Sequence, residues 1–252
     1  MSFVIEGRID GTNKCIGFCC EPLKNRPCIK LEEFGNKTID SFVQLRNEII
    51  NEGIYPKPNH RVTIDCLNCC HYMLNTWNSS DTINYINLSL YPSPCQCRCI
   101  YCDYNRDYEL LSHEEVIESY RKIFDILDYA GKINLISPNA TYQVSLGEIT
   151  IHPFKEKIYE FVQHSNTIFF TNCFNYDEQI AKNISANISS SINFSIDAGT
   201  SETWHNVKGF DNFNIVNTNL KKYRANSNHS EQIHLNFKEN LKKLKKKIYP
   251  LQ

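Results

Sequence analysis

An α/β fold, a partial (β/α) barrel-like domain preceded by a small Cys-rich metal-binding module, is predicted by three features of this sequence. From residue 83 onward, short apolar runs alternate with helical patterns, the mark of βα units on a parallel sheet. The twelve cysteines fall mostly in groups at ligand spacings. A length of 252 residues suffices for one barrel-like α/β domain, or a domain plus a small module, with a sizeable core. The expected divisions are residues 1–80, a Cys-rich module; residues 81–235, the partial barrel; and residues 236–252, a basic tail outside the core.

The first division carries Cys15, then Phe18-Cys19-Cys20-Glu-Pro, then Cys28, and later Cys66-Leu-Asn-Cys69-Cys70-His71. Between them, Thr38 to Gly53 reads as a helix: Ile39, Phe42, Val43, Leu45, Ile49 and Ile50 lie mostly on one face, and Gly53 stops it. Folding that brings the two cysteine clusters around one metal centre would supply stability that so small a module lacks in its core. A structural zinc knuckle fits the same residues, and Cys20 or Cys70 fits an ordinary buried cysteine.

The barrel part opens with a strand, Ile83–Leu90, broken by Tyr91-Pro-Ser-Pro94 and followed by Cys95-Gln-Cys-Arg-Cys99-Ile-Tyr101-Cys102. Thiolates at C-x3-C-x2-C, from Cys95, Cys99 and Cys102, suit three irons of a [4Fe–4S] cubane and leave the fourth iron for a non-protein ligand. Cys97 opens other sets of three, and half a zinc site or a disulfide knot are the competing readings. A loop at the carboxyl end of a strand is where open α/β sheets and barrels build their chemistry.

Ser112-His-Glu-Glu115 reads as a capping box for a helix over Glu114–Tyr129, with Val116, Ile117, Tyr120, Ile123, Phe124 and Leu127 as its apolar stripe and Gly131 as its stop. A short strand from Thr141 runs into Gly147-Glu148 and then His152-Pro153. Helix Phe154–Gln163, strand Thr167–Thr171, a helix about Tyr176–Asn187 and strand Ser191–Asp197 follow. Thr200 or Ser201 caps the next helix. A short helix near Asn217–Tyr223 and a strand Gln232–Leu235 lead into the lysine-rich tail, which on its own reads as a solvated basic helix. Cys173 and His205 read as structural.

The cysteine loop, with Tyr101 immediately before its last cysteine, resembles the signature of the radical S-adenosylmethionine (radical SAM) enzymes. The resemblance implies that Cys95, Cys99 and Cys102 hold a [4Fe–4S] cluster and that the amino and carboxylate groups of SAM chelate the fourth iron. Tyr101 would lie near the adenine. Reductive cleavage of SAM would give methionine and a 5′-deoxyadenosyl radical that takes a hydrogen atom from substrate, the cofactors performing the hard step while the protein positions and shields. Gly147-Glu148 resembles the family's glycine-glutamate motif, where backbone binds the SAM amino group and glycine permits close approach; Leu146 stands where a second glycine is common. Ser195 and Asp197, in Ser-x-Asp-Ala, correspond to the polar contacts beside the SAM ribose and substrate, although Asp197 also reads as a turn residue bonding its own backbone.

The module of residues 1–80 looks like the auxiliary-cluster segment, SPASM or twitch, that many such enzymes carry after the barrel. It implies Cys19, Cys66 and Cys69 as ligands of a second Fe–S cluster, with Cys20, Cys15, Cys28 or Cys70 for the last place. The implied partners are a reductant such as flavodoxin or ferredoxin and an unidentified small-molecule or peptide substrate. A complete family core has more βα units than this chain, so a C-terminal truncation that impairs activity is expected.

A formal net charge of −1 gives no field steering the chain to nucleic acid or an anionic membrane. The sequence has neither an export signal nor an apolar run of spanning length, which predicts a cytoplasmic protein with reduced cysteines. The function class competing with the enzyme is a non-catalytic zinc or Fe–S binding protein, or a truncated remnant.

Overall fold

The computed structural model describes residues 2–7, 14–17, 28–30, 40–41, 43–44, 82–89, 93–102, 113–145 and 147–235. The chain divides into two compact units, Met1–Leu90 with His113–Ala140, and Tyr91–Ser112 with Thr141–Gln252. Cys19, Cys20, Cys66 and Cys69, most of the helix read over Thr38 to Gly53, and the tail of residues 236–252 lie outside the described residues.

In the first unit, strands β1 (Ser2–Gly7), β2 (Lys14–Gly17), β3 (Cys28–Lys30) and β4 (Ile83–Ser89) lie side by side in the order β3-β2-β1-β4. β1 runs parallel to β4, with Ser2 opposite Tyr85 and Glu6 opposite Ser89. β2 pairs antiparallel with β1, and β3 antiparallel with β2. The sequence reading has no strand before Ile83, so these three are additions: Cys15 lies in β2 and Cys28 in β3. β1 and β2 are apolar runs of too few residues to separate from loop by pattern alone.

Helix α1 (His113–Lys132) packs against β1 and buries Tyr120, Ile123, Phe124 and Leu127 of the expected stripe. It runs past Gly131. Its stop is Asn134, at φ 56 in the left-handed region: Leu135 N donates to Ala130 O at 2.9 Å and Asn134 N to Gly131 O at 3.0 Å, the paired bonds of a Schellman ending with asparagine in the glycine position.

Strand β5 (Ile136–Val144) begins five residues before the strand read from Thr141. Its first residues, Ile136 to Asn139, are half-buried or exposed and include Pro138, so they lack the apolar alternation that marks a strand. In the second unit β5 is followed by β6 (Asn166–Thr171), β7 (Ser191–Phe194) and β8 (Ile233–Leu235), each parallel to the one before. Parallel strands buried on both faces need crossover helices. These are α2 (Lys155–Val162), α3 (Glu178–Ala186), α4 (Ser201–Lys208) and α5 (Phe213–Asn226).

Asp177 caps α3, accepting from Gln179 N at 2.9 Å, and Thr200 is the cap of α4, accepting from Thr203 N at 3.2 Å. α5 is twice the length read from sequence, because Asn214, Asn217 and Asn219 dilute its stripe while Val216, Asn219 and Tyr223 are the residues it buries. The core of this unit contains Val144, Ile149, Ile158, Phe169, Ile180, Ile192, Phe194 and Trp204, each no more than 1% exposed. Among the described residues, no helix is long and apolar enough to cross a membrane.

Candidate functional site

The chemistry-bearing residues of the second unit collect at the carboxyl ends of its parallel strands, as the general rule for such sheets requires. Gly147 and Glu148 follow β5, Asn172 follows β6, and Ser195 and Asp197 follow β7. The cysteine loop, residues 95–102, belongs to the same unit.

The loop is fastened at several points. Cys102 N donates to Cys99 O at 2.9 Å, so the x2 spacing is a turn. Arg98 N donates to Lys208 O at 2.8 Å and Ile100 N to Val207 O at 3.0 Å, which ties the loop to the last carbonyls of α4. Gly147 faces the residues just before Cys95: a Cβ there would stand 2.5 Å from Ser93 O and 2.7 Å from Pro94 O. Only glycine allows that approach.

Cys95, Cys99 and Cys102 are half-buried, whereas Cys97 is 1% exposed. None of these four, nor Cys173, is in a disulfide. The Cys97 sulfur lies within hydrogen-bonding range of both Cys95 and Cys99, and those bonds, with burial, push its own thiol far up. The same bonds act oppositely on the partners. Cys95 is lowered, chiefly by the Cys97 bond and against burial. Cys99 is lowered to about 6 by the Cys97 bond, opposed by burial and assisted by the Lys208 ammonium and Tyr101. The loop therefore holds two sulfurs toward thiolate, the state in which sulfur binds metal, and one toward thiol.

Beside Cys99 is a buried ionic group absent from the sequence reading. Lys208, 1% exposed, ion-pairs with Asp197. The Tyr101 hydroxyl donates to the same Asp197 oxygen and accepts from Lys208 Nζ at 2.8 Å. Burial pushes the Lys208 ammonium down, but the Cys99 thiolate and Asp197 carboxylate outweigh it and the net shift is upward. Tyr101 is pushed up by burial and by Cys99 and Asp197, so its proton stays on oxygen. Of the sequence-predicted site residues, Tyr101 and Asp197 are thus brought into direct contact, and Ser195 lies half-buried after β7 with its N–H donating to Thr171 O at 3.2 Å.

Glu148 is fully buried. Its Oε1 accepts from Thr150 N at 3.2 Å, Thr150 Oγ1 at 2.8 Å and Thr171 Oγ1 at 2.8 Å, and its Oε2 from Asn172 N at 2.7 Å. Burial pushes this carboxyl up more than the four bonds pull it down. The side chain ties the end of β5 to the end of β6. Asn172, which the sequence reading passed over, donates from Nδ2 to Cys95 Sγ at 3.6 Å and to Gln96 Oε1 at 3.3 Å. Its place one residue beyond a parallel strand is the signal that would have found it; nothing comparable marks Lys208, which reads as an ordinary basic helix end.

Among the described residues, no three His, Cys, Asp or Glu side chains are grouped to hold a single metal ion. Three half-buried thiols in one loop, two of them lowered, suit thiolate ligation of metal, and a cubane takes one cysteine on each iron it offers the protein.

No protein-family model matches the chain, and no curated protein is similar to it. Among solved structures, the crystal structure of Streptococcus suis SuiB bound to S-adenosylmethionine is similar at 16% identity and a TM-score of 0.37, over 56% of this chain and 29% of that one. The chain thus spans well under half the length of that protein, and a likeness of this size identifies no family.

Proposed function

We propose that the chain is a radical SAM protein of partial (β/α) barrel type, in which Cys95, Cys99 and Cys102 bind three irons of a [4Fe–4S] cluster and the fourth iron is left for S-adenosylmethionine. The observation that carries this reading is the cysteine loop itself. It is anchored to a strand end and to α4, with Cys95 and Cys99 lowered and Cys97 raised. When bound, the cluster and SAM supply the one-electron cleavage that starts hydrogen abstraction.

The roles of the chain's own residues follow from their contacts. Cys97, the raised thiol, stays out of the ligand set and donates toward its neighbours. Lys208 balances the thiolate charge of Cys99 and the carboxylate of Asp197. Gly147 keeps the backbone after β5 against the loop, leaving that backbone to meet the SAM amino group, with Ser195, Asp197 and Tyr101 lining the ribose and adenine side. Glu148 acts from below, as a tie. Cys19, Cys20, Cys66 and Cys69 are proposed as ligands of an auxiliary cluster, electrons as coming from a flavodoxin- or ferredoxin-like donor, and the substrate as a small molecule or peptide.

The test is anaerobic reconstitution with iron and sulfide, reduction with dithionite, and electron paramagnetic resonance with and without SAM. The expected result is a reduced-cluster signal that changes shape with SAM and is lost in Cys99→Ala, followed by 5′-deoxyadenosine formation. A colourless chain that binds zinc and forms no cluster overturns the proposal.

A further inference from the structure

We infer that Asn172 is a positioning residue that sets the reduction potential of the cluster held through Cys95, by donating a hydrogen bond from its side-chain amide to the Cys95 sulfur; the inference rests on the cluster reading above. Asn172 is 6% exposed and its surroundings fix it from three sides. Its backbone N–H donates to Glu148 Oε2 at 2.7 Å. Its Oδ1 accepts from Phe174 N at 3.0 Å, which decides the orientation of the amide: with the oxygen turned to that N–H, the NH2 group must face the loop. There it donates to Cys95 Sγ at 3.6 Å and Gln96 Oε1 at 3.3 Å. Glu148 is in turn immobilised by Thr150 and Thr171. A fully buried carboxylate, a strand end and an amide thus form one relay of contacts that aims an N–H at a single sulfur.

A donor on a ligating thiolate withdraws charge from it and stabilises the reduced cluster, which is one electron more negative; the potential rises. No protein bond forms or breaks: one electron enters the cluster from the reductant, dithionite in the experiment, which is oxidised. Removing the donor should lower the potential.

The experiment reconstitutes the full chain, Asn172→Leu and Asn172→Asp, checks folding by far-ultraviolet circular dichroism and iron per chain, and follows the cluster signal through a potentiometric titration. Both substitutions keep the number of side-chain heavy atoms and remove the NH2 donor. The expected result is unchanged iron content and a one-electron reduction equilibrium about tenfold less favourable in Asn172→Leu, a shift of about 59 mV to lower potential. Asn172→Asp should shift further, because it adds a negative charge. A folded, iron-loaded variant with the parent's potential overturns the inference, and if one variant does not fold the other decides. Loss of folding or of iron in both variants also overturns it, since Asn172 would then hold the loop and not the potential. Failure of the unsubstituted chain to take up a cluster removes the proposed function and this inference together, and is read on the parent alone.

Discussion

Lys208 shows what one buried charge demands of its neighbours. An ammonium with 1% exposure is tolerable only when its charge and its donors are answered, and here Asp197, the Tyr101 hydroxyl and the faces of Tyr101 and Trp204, each 5.5 Å from Nζ, do so. Removing one member of such a pair leaves the other buried without its counter-charge, which typically costs about 3–5 kcal/mol, while removing both costs far less. Lys208→Met is therefore expected to lower the urea midpoint by the equivalent of about 3–5 kcal/mol, and Lys208→Met with Asp197→Asn to recover part of that loss. A single variant within about 1 kcal/mol of the parent would show that the pair does not hold the site together. Sequence could nominate Tyr101 and Asp197 through the resemblance, but not their contact with each other. The Tyr101 hydroxyl reaches Asp197 directly, and the charge that completes the group comes from a lysine on a helix, where a lone basic residue in the last turn is ordinary.

At the scale of elements, α4 and the cysteine loop are one construction. α4 ends at Gly209, φ 77, whose N–H donates to His205 O at 2.8 Å. The left-handed cap turns the chain while the carbonyls of Val207 and Lys208 receive the loop's N–H groups. A Cβ on Gly209 would meet Arg98 Cβ at 3.0 Å and Arg98 O at 3.3 Å, and the left-handed region costs an L-residue about 1–2 kcal/mol. Gly209→Ala is expected to lower stability by about that amount and to speed amide hydrogen exchange at Arg98 and Ile100; unchanged exchange at both would separate the loop from the helix end. The elements legible in the sequence include β4, α1, α2, β6, α3, β7, β8, and α4 with Thr200 ahead of it, each marked by its periodicity, a clear cap or flanking turn residues. The start of β5 is illegible because it is half-buried or exposed and carries Pro138, and the full length of α5 because asparagine, a weak helix former, interrupts its stripe. The end of α1 is not legible because Asn134, not Gly131, takes the left-handed position.

For the whole molecule, the two compact units are interleaved in the chain, which passes from one to the other after Leu90, Ser112 and Ala140. Long-range pairing such as β1 with β4 is illegible in the sequence, since no local pattern tells which distant strand a short one will join. Global stability, in contrast, has one term that local physics does fix. His152 is buried, its Nδ1 accepting from Phe154 N at 3.1 Å, and burial lowers it to about 3 from its ordinary 6.5. Between those values the unfolded chain carries a proton that the folded chain does not, so the unfolded state gains as pH falls and stability is lost from about pH 6.5 downward. Glu148, raised by burial, acts with the opposite sign above its unfolded value of 4.5, so the histidine is isolated by comparison. His152→Asn keeps an acceptor for the Phe154 N–H and removes the titration. Between pH 6 and pH 4 the parent is expected to lose about 2 kcal/mol more than His152→Asn in urea unfolding, because one proton is bound by the unfolded chain alone over most of that range; parallel curves for the two proteins would mean that the folded state accepts the proton at this histidine.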